Sequence, residues 1–233
     1  MSLSLLQHLQ QLDLRTVDTM HALSALSKYL DVTETQMAAA EQEEMEALKR
    51  EQPADGDDDD WARWSQLQDY TVSLYEEDLR PAMRYSFVVF LQIVLETRLA
   101  RFCSSIQQER QLPLKESELR GSSLDRAKTF LVKLAGMPLA TPPAWNKLRD
   151  LQKVRDCIVH ANGYVAESRD KKDLEGLAGT GLGMSIDDCG RLAISKDFCV
   201  FGLSQVEELF RDLFKAAGWR VLSPEPKERA SAY

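Results

Sequence analysis

The segment from Trp145 to Val165 constrains the fold of this chain more than any other stretch of its sequence. On an α-helix with about 3.6 residues per turn, its apolar residues gather into one stripe along the helix. The members of that stripe are Leu148, Leu151, Val154, Ile158, Ala161 and Val165. A helix with a single apolar stripe buries that side against other elements. The spacing therefore predicts a helix that forms one wall of a helical core.

The ionisable residues of the same segment fall on a different face. Asp156 and His160 are four residues apart and lie together on the side away from the stripe, and Arg155 projects between the two faces. Periodicity therefore predicts that these side chains are not core residues. We expect them to be open to water, to a ligand or to another subunit.

Apolar residues at three-to-four spacing also predict helices in the N-terminal part of the chain. Leucines at this spacing predict an amphipathic helix over residues 3–30. The run from Thr33 to Gln36 has the form of a capping box and predicts the start of a second helix. The acidic run 53–60 breaks the pattern and lacks the alternating ligands of an EF-hand loop, so we expect a solvated linker there.

The next two predicted helices are joined near Pro81. A helix from Trp61 to about Leu79 should bury a set of aromatic and leucine side chains. These are Trp64, Leu67, Tyr70, Leu74 and Tyr75. Pro81 suits the first turn of the following helix. Because that helix is apolar nearly all round from Phe87 to Leu95, we expect it to be packed on several sides.

The last part of the chain combines helices with one hairpin. Ser122 predicts the cap of a helix that ends near Leu134, and Pro142 opens the helix described first. Gly190 should lie in the turn of a short β-hairpin over 184–195. Ser204 and Glu207 predict the cap of a last helix that Gly218 ends.

The predicted fold is therefore an all-α bundle with a small β-hairpin before the last helix. Its predicted parts are a helical extension over 1–52, the acidic linker over 53–60, a helical domain over 61–218 and a disordered tail over 219–233.

Charge is distributed unevenly along the chain, whose net charge is −8. Residues 1–78 hold 5 Lys and Arg against 18 Asp and Glu, a net of −13. Residues 120–172 hold 11 against 5, a net of +6, and include the Arg155 segment. The overall charge argues against nucleic-acid binding by the whole surface, whereas the second region offers local positive charge for a phosphate backbone. Solvated helix faces explain the same charges equally well.

Several classes of protein and site are not expected. No apolar run approaches the roughly 20 residues that span a bilayer, and the first residues lack the basic start of a secretory signal. The four cysteines lack metal-ligand spacing, so we expect reduced thiols, a cytoplasmic protein, and no metal or cofactor. The glycines 176, 179, 181 and 183 lack the leading strand and closing GK[ST] of a phosphate loop and predict a mobile surface loop.

Arg155, Asp156 and His160 together suit the cleavage of a phosphodiester. An imidazole can take a proton from a ribose 2′-hydroxyl and return one to the leaving oxygen. Asp156, one turn before His160, is placed to orient the ring, and the guanidinium of Arg155 offers a fork for phosphate oxygens. Because Arg155 and His160 lie roughly 140° apart around the helix, we expect a two-fold pair of chains to bring one Arg155 beside the other His160, with Val159 near the contact.

This motif and its surroundings resemble the HEPN superfamily (higher eukaryotes and prokaryotes nucleotide-binding). The shared pattern is Arg155, a polar residue, three more positions and His160, inside a hydrophobic helix. The segments GSSLDRAKTFLVKLAG at 121–136 and WNKLRDLQKVRDCIVHANG at 145–163 are similar to bacterial members in spacing as well as in motif. The resemblance covers about residues 80–217.

The resemblance implies a metal-independent endoribonuclease that acts as a homodimer, serves as a toxin or an anti-phage defence effector, and has an RNA substrate and a cognate antitoxin or defence partner. Carried over by position, the catalytic roles fall on Arg155, Asp156 and His160. The chain departs from the family at two positions. Asp156 stands where Asn is most common, and Asn162 stands where a tyrosine-modified toxin branch has Tyr, with Tyr164 displaced.

Other polar residues are candidates for supporting roles. Those for contacts with RNA are Arg126, Lys128, Lys153 and Asn162. Glu96, flanked by Arg98 and Arg101, is a weaker site candidate, since a helix-surface ion pair explains it as well.

Alternative functions remain open at this point. The chain is also consistent with a non-catalytic HEPN-like module for dimerisation or for nucleotide or RNA binding, or with a helical scaffold that has no nucleic-acid role. A thiol hydrolase using Cys157 and His160 is disfavoured, because the two side chains fall on different sides of the helix. Loss of RNA cleavage in His160→Ala with the fold intact separates the ribonuclease from the module and the scaffold.

Overall fold

The computed structural model describes residues 13–138 and 142–221 and confirms the all-α fold class. Its helices are α1 (Leu14–Arg50), α2 (Asp58–Ser73), α3 (Arg80–Glu109), α4 (Ser123–Thr129), α5 (Pro142–Ala161), α6 (Lys171–Ala178) and α7 (Lys196–Ala217). Wider π-helical turns follow α2 and α4 at Leu74–Leu79 and Phe130–Leu134, and 3₁₀ turns occupy Glu116–Glu118 and Val165–Glu167. The strands β1 (Met184–Ile186) and β2 (Leu192–Ile194) form an antiparallel pair just before α7, as predicted.

The described residues divide into two compact units. The first takes in 13–24, 94–138, 142–145 and 205–221, and the second takes in 25–93 and 146–204. Arg155, Asp156, His160 and the hairpin belong to the second unit.

Aromatic side chains form the centre of the first unit. The Trp219 ring lies 5.0 Å from the ring of Phe102 and 5.9 Å from that of Phe214. The guanidinium of Arg15 lies 3.9 Å from the centre of the Trp219 ring, and the indole N–H donates to Glu109 (3.3 Å). Trp219 is therefore part of this core although the sequence placed it in a disordered tail; residues 222–233 lie outside the described residues.

In the second unit, segments of α3, α5 and α7 meet at Gly202. A Cβ at Gly202 would lie 3.3 Å from methyl groups of both Leu91 and Leu151, so the absence of a side chain lets the helices approach. Arg84 connects this packing to α1 by a two-pronged bond with Glu34 (2.8 and 3.1 Å) and to β2 through the Ile194 carbonyl (3.2 Å). This unit provides the rigid surroundings of the α5 motif.

The predicted helix break at Thr33 is wrong, because α1 runs without interruption from Leu14 to Arg50. The Thr33 hydroxyl donates backwards to the carbonyls of Tyr29 (2.8 Å) and Leu30 (3.1 Å) and caps no helix start. A threonine hydroxyl can make either bond, and the strong helix formers that follow favour continuation. Residues 3–12 of the predicted first helix lie outside the described residues.

The chain is helical from Asp58 to Glu109 without the break predicted at Pro81. The Asp57 carboxylate caps α2 by accepting from the amides of Asp59 and Asp60, so this helix starts inside the predicted linker. Pro81 has no N–H and its ring crowds the preceding turn. The π turn Leu74–Leu79 widens the helix just before it, which explains how the helix continues.

Some apolar residues predicted to be buried are exposed. Leu67 and Tyr70 of α2 face solvent, whereas Tyr75 is buried and donates to Glu44 (2.9 Å). Within the stretch of α3 predicted to be packed all round, Phe90 and Ile93 are about half exposed. These helices are therefore buried on one side, and the run of apolar residues in the sequence predicted more burial than the structure has.

The region after α5 differs from the predicted glycine-rich loop. Residues Lys171–Ala178 form α6, whose Leu174 is fully buried. Helix α7 starts at Lys196, where the Ser195 hydroxyl accepts from the Phe198 amide (3.3 Å), eight residues before the predicted cap at Ser204. The predicted Gly190 turn and the stop at Gly218 are confirmed, and both glycines have positive φ.

The end of α5 is fixed to the hairpin by a close approach of backbone and ring. Asn162 and Gly163 follow α5 with positive φ (48° and 82°). The Gly163 carbonyl accepts from Leu192 (2.9 Å), while the Tyr85 hydroxyl donates to the Leu192 carbonyl (2.5 Å). A Cβ at Gly163 would lie 2.2 Å from that hydroxyl, so only glycine fits. This contact holds the last turn of α5, with His160, in place.

Gly163→Ala should lower the free energy of unfolding by about 2–5 kcal/mol, because it combines a left-handed backbone with a clash against Tyr85. Gly190→Ala is the matched control: it has the same φ of about 80° but nothing within 4 Å of its Cβ, so we expect only about 1–2 kcal/mol. Urea denaturation measures both, and equal losses would contradict the role given to the Tyr85 contact.

Candidate functional site

The buried side of α5 is broader than the predicted stripe. Five predicted members, Leu148, Leu151, Val154, Ala161 and Val165, are buried as expected. Ile158 is partly exposed, and Cys157 is buried in its place. The segment 165–170 lies on this side of α5, since Nη2 of Arg169 donates to the Asp156 carboxylate (2.8 Å). In the last two turns of α5, the buried side of the helix therefore includes Cys157 and Asp156.

Asp156 is buried, which corrects the prediction that it lies on an open polar face. The residue is 9% exposed. Its Oδ1 accepts from Nη1 of Arg155 and its Oδ2 from Nη2 of Arg169, both at 2.8 Å. A buried carboxylate is costly unless it is paired and hydrogen-bonded, and two guanidiniums satisfy this one.

His160 is exposed in the last turn of α5, as the sequence predicted. Within the described chain, the hydrogen-bond partners of Asp156 are the two arginines, and the His160 ring is not among them. The predicted orientation of the imidazole by Asp156 is therefore not formed. Instead, the Asp156 carboxylate, one helical turn before His160, accepts hydrogen bonds from Arg155 and Arg169.

A surface depression of about 350 Å³ brings His160 and Asp156 together with the segment after α5. Its lining residues are Asp156, His160, Ala161, Glu167, Ser168, Arg169 and Asp170. The lining thus offers one imidazole, one guanidinium and three carboxylates, of which Asp156 is neutralised by arginine. This arrangement can place a cation and a proton acceptor around one small anionic group.

Arg155 is placed differently from the other two motif residues. Its side chain is 27% exposed and is not part of the lining of the depression. Its Nε is buried without a hydrogen-bond partner among the described residues. One copy of the chain therefore does not aim Arg155 and His160 at the same point, in agreement with the angle predicted between them.

The candidates for contacts with RNA are divided between the two units. Lys153 is engaged by Asp150 (3.2 Å) and Asp173 (2.8 Å), and these carboxylates raise the pKa of its amine. Asn162 is exposed beside the site. In the first unit, Arg126 pairs with Glu116 (2.8 Å), and the Lys128 amine lies 5.9 Å from the centre of the Trp145 ring.

Glu96 also lies in the first unit, whereas Arg155, Asp156 and His160 belong to the second. It lines a separate depression of about 240 Å³ together with Arg126 and Glu116. Arg98 and Arg101, its predicted partners, both bond with Asp18.

Arg169 is the cationic residue of the depression that the sequence did not reveal. It lies in the polar run 167–173, whose charges resemble those of any solvated loop. The one available signal was the excess of positive charge over 120–172, which does not single out a position. Its contact with Asp156, thirteen residues earlier, depends on how the chain folds back over α5.

The four cysteines are free thiols, and burial governs their chemistry. Burial raises the pKa of Cys157, and it raises the pKa of Cys103 and Cys199 to about 12. A thiol nucleophile needs the opposite shift, so Cys157 is a poor candidate for a thiol hydrolase. Cys189 is exposed in the hairpin turn.

The described residues offer neither a metal site nor a membrane span. They contain no group of three or more His, Cys, Asp or Glu side chains arranged to hold a metal ion. Each helix in them is too short or too polar to cross a lipid bilayer.

Comparison of the chain with protein-family models, with curated proteins and with solved structures gave no match.

Arg155→Ala should lower the free energy of unfolding by about 1–3 kcal/mol, because it removes one of two partners from a buried carboxylate. His160→Ala, one turn away and exposed, should leave the free energy of unfolding near that of the wild type. Urea denaturation compares them. Equal midpoints for the two variants would mean that Asp156 does not depend on Arg155.

Alkylation with iodoacetamide at neutral pH should modify Cys189 well before Cys157, Cys103 and Cys199. The raised pKa of the buried thiols keeps them protonated, and the thiolate is the reacting form. Peptide mapping by mass spectrometry identifies the modified site, and all four should react in denaturant. Reaction of native Cys157 at the rate of Cys189 would contradict this assignment and reopen the thiol hydrolase.

Proposed function

We propose that the chain is a metal-independent endoribonuclease of HEPN type that serves as a toxin or an anti-phage defence effector. The observation that carries this proposal is the position of His160: its imidazole is exposed in a depression, one helical turn after a carboxylate held between two guanidiniums. An accessible imidazole next to fixed positive charge is the minimum needed to cleave RNA through its own 2′-hydroxyl.

In the proposed reaction, His160 removes the proton from a ribose 2′-hydroxyl. The 2′-oxygen then attacks the adjacent phosphorus, and the bond from phosphorus to the 5′-oxygen breaks. The protonated imidazole gives a proton to that leaving oxygen, which yields a 5′-hydroxyl and a 2′,3′-cyclic phosphate and restores the neutral ring. Guanidinium groups stabilise the negative charge that grows on the phosphate oxygens.

Asp156 is a positioning residue in this proposal. Arg155 and Arg169 carry two positive charges against the one negative charge of Asp156, so the three side chains carry a net positive charge of one. The carboxylate thereby holds both guanidiniums in fixed places, and less order is lost when a phosphate binds.

A homodimer completes the proposed site. Arg155 does not line the depression of its own copy. In a two-fold pair of α5 helices, Arg155 of one copy would reach the His160 of the other, and the half-exposed Val159 lies on the surface between them. An antitoxin or defence partner that covers this face would control the activity.

A non-catalytic HEPN-like module, for dimerisation or for nucleotide or RNA binding, is the second candidate. Glu167 and Asp170 in the lining repel a phosphate. His160 lacks the carboxylate partner that orients a catalytic imidazole, since Asp156 serves the arginines. The second observation favours a surface that does not cleave RNA, and the first favours dimerisation over the binding of a nucleotide or RNA.

Purified full-length wild type and His160→Ala should be incubated with total RNA in EDTA. We expect fragments ending in 2′,3′-cyclic phosphate from the wild type and none from His160→Ala, because the variant lacks the proton acceptor. Gel electrophoresis reads the fragments, and a terminal phosphate that resists phosphatase until acid opens its ring identifies the 2′,3′-cyclic end group.

His21→Ala is the matched control, because His21 is an exposed histidine of α1 in the other unit. It should cleave like the wild type. Intact RNA in every reaction, with RNA retained on the protein, would favour the second candidate. Equal cleavage by His160→Ala would remove His160 from the mechanism.

A further inference from the structure

Arg169 is the guanidinium that shares the depression with His160, and this suggests a role beyond holding Asp156. We propose that Arg169 binds a phosphate of the RNA backbone in the His160 depression, and that it exchanges its bond with Asp156 for that phosphate. The proposal rests on the proposed function in taking RNA as the ligand.

The two arginines bound to Asp156 differ in exposure. The Arg169 side chain is 78% exposed, against 27% for Arg155. Arg155 comes from the same helix as Asp156 and is the inner partner, whereas Arg169 reaches over from the segment after α5. An incoming anion therefore meets Arg169 first.

Arg169 retains capacity for a further anion. Its Nη2 donates to Asp156 (2.8 Å) and its Nε to Asp170 (3.3 Å). A guanidinium has more donors than these two bonds use, and no described residue accepts a hydrogen bond from its Nη1. A phosphate oxygen can thus bind Nη1 before any existing bond is broken.

The exchange does not leave a buried charge without a partner. If Arg169 moves to a phosphate, the Asp156 carboxylate keeps its bond with Arg155. Removal of every partner from a buried carboxylate is strongly unfavourable, whereas here the inner partner, Arg155, stays bound to Asp156. Because Arg155 stays bound to Asp156, Arg169 is available to bind a phosphate.

The backbone around Arg169 is fixed although the side chain is exposed. The Ser168 amide donates to the Val165 carbonyl (3.1 Å), and the Asp170 amide donates to the Ser168 hydroxyl (3.2 Å). Helix α6 begins at Lys171, directly after Asp170. An exposed side chain on a fixed backbone is suited to a contact that forms with each substrate.

Binding should be measured with full-length protein and a fluorescent oligoribonucleotide whose ribose 2′-hydroxyls are methylated, so that cleavage through the 2′-oxygen is impossible. Fluorescence anisotropy should show binding to Arg169→Ala weakened about tenfold relative to the wild type, the size expected for one charge-assisted contact. Lys172→Ala is the matched control: it removes the same charge three residues away, from an exposed side chain outside the lining. It should weaken binding by less than about twofold.

Two additional variants guard against a merely structural effect. Arg169→Lys keeps the positive charge but lacks the guanidinium fork, and its affinity should fall between those of the wild type and Arg169→Ala. Asp156→Asn removes the competing carboxylate charge and should tighten binding, which loss of structure would not do. Thermal denaturation of each variant checks that it is folded.

The outcomes separate this inference from the proposed function. Wild-type affinity in Arg169→Ala, equal weakening in Lys172→Ala, or no binding by the wild type would each overturn the role of Arg169. Selective weakening in Arg169→Ala without cleavage of unmodified RNA by the wild type would support this role and overturn the ribonuclease. Cleavage by the wild type, together with wild-type affinity of Arg169→Ala for the oligoribonucleotide, would support the ribonuclease and overturn the role of Arg169.

Discussion

A buried carboxylate on α5 determines how the surface around His160 is built. Asp156 cannot stay charged inside the protein without cationic partners, and two guanidiniums supply them from opposite sides in sequence. Arg155 precedes it on the helix, while Arg169 requires the chain after α5 to fold back. That return brings Ser168 and Asp170 beside the helix and forms the depression with His160. The charge of Asp156 therefore determines both the path of residues 165–170 and the position of the depression beside His160.

A second constraint sets where α5 ends. The Gly163 backbone passes so close to the Tyr85 hydroxyl that a side chain is excluded, and the hairpin bonds to the same residue. The turn that leaves α5 is therefore held from two elements of the second unit. This explains why an exposed histidine in the last turn of a helix, usually a fraying position, has defined surroundings here.

The sequence predicted the helices and the hairpin because their signals are local. Apolar spacing and the turn glycine Gly190 act over a few residues, and both predictions were confirmed. Errors came where one residue type serves two purposes. Thr33 and Ser204 can cap a helix or bond back within it, and Pro81 can start a helix or follow a widened turn. The choice depends on neighbouring packing, which a single sequence does not reveal.

The motif residues could be found by spacing, whereas their partners could not. Helical periodicity predicted that Asp156 and His160 lie on one face. The segment 165–170 covers Asp156, however, and the carboxylate oxygens accept hydrogen bonds from arginines. An aspartate at this position has two opposing consequences. It pre-arranges the exposed Arg169, and it competes with a phosphate for that same guanidinium. An asparagine would compete less but would hold the arginine less firmly, since a neutral amide oxygen is the weaker acceptor. Asp156 thus favours a site that is ordered before the anion arrives.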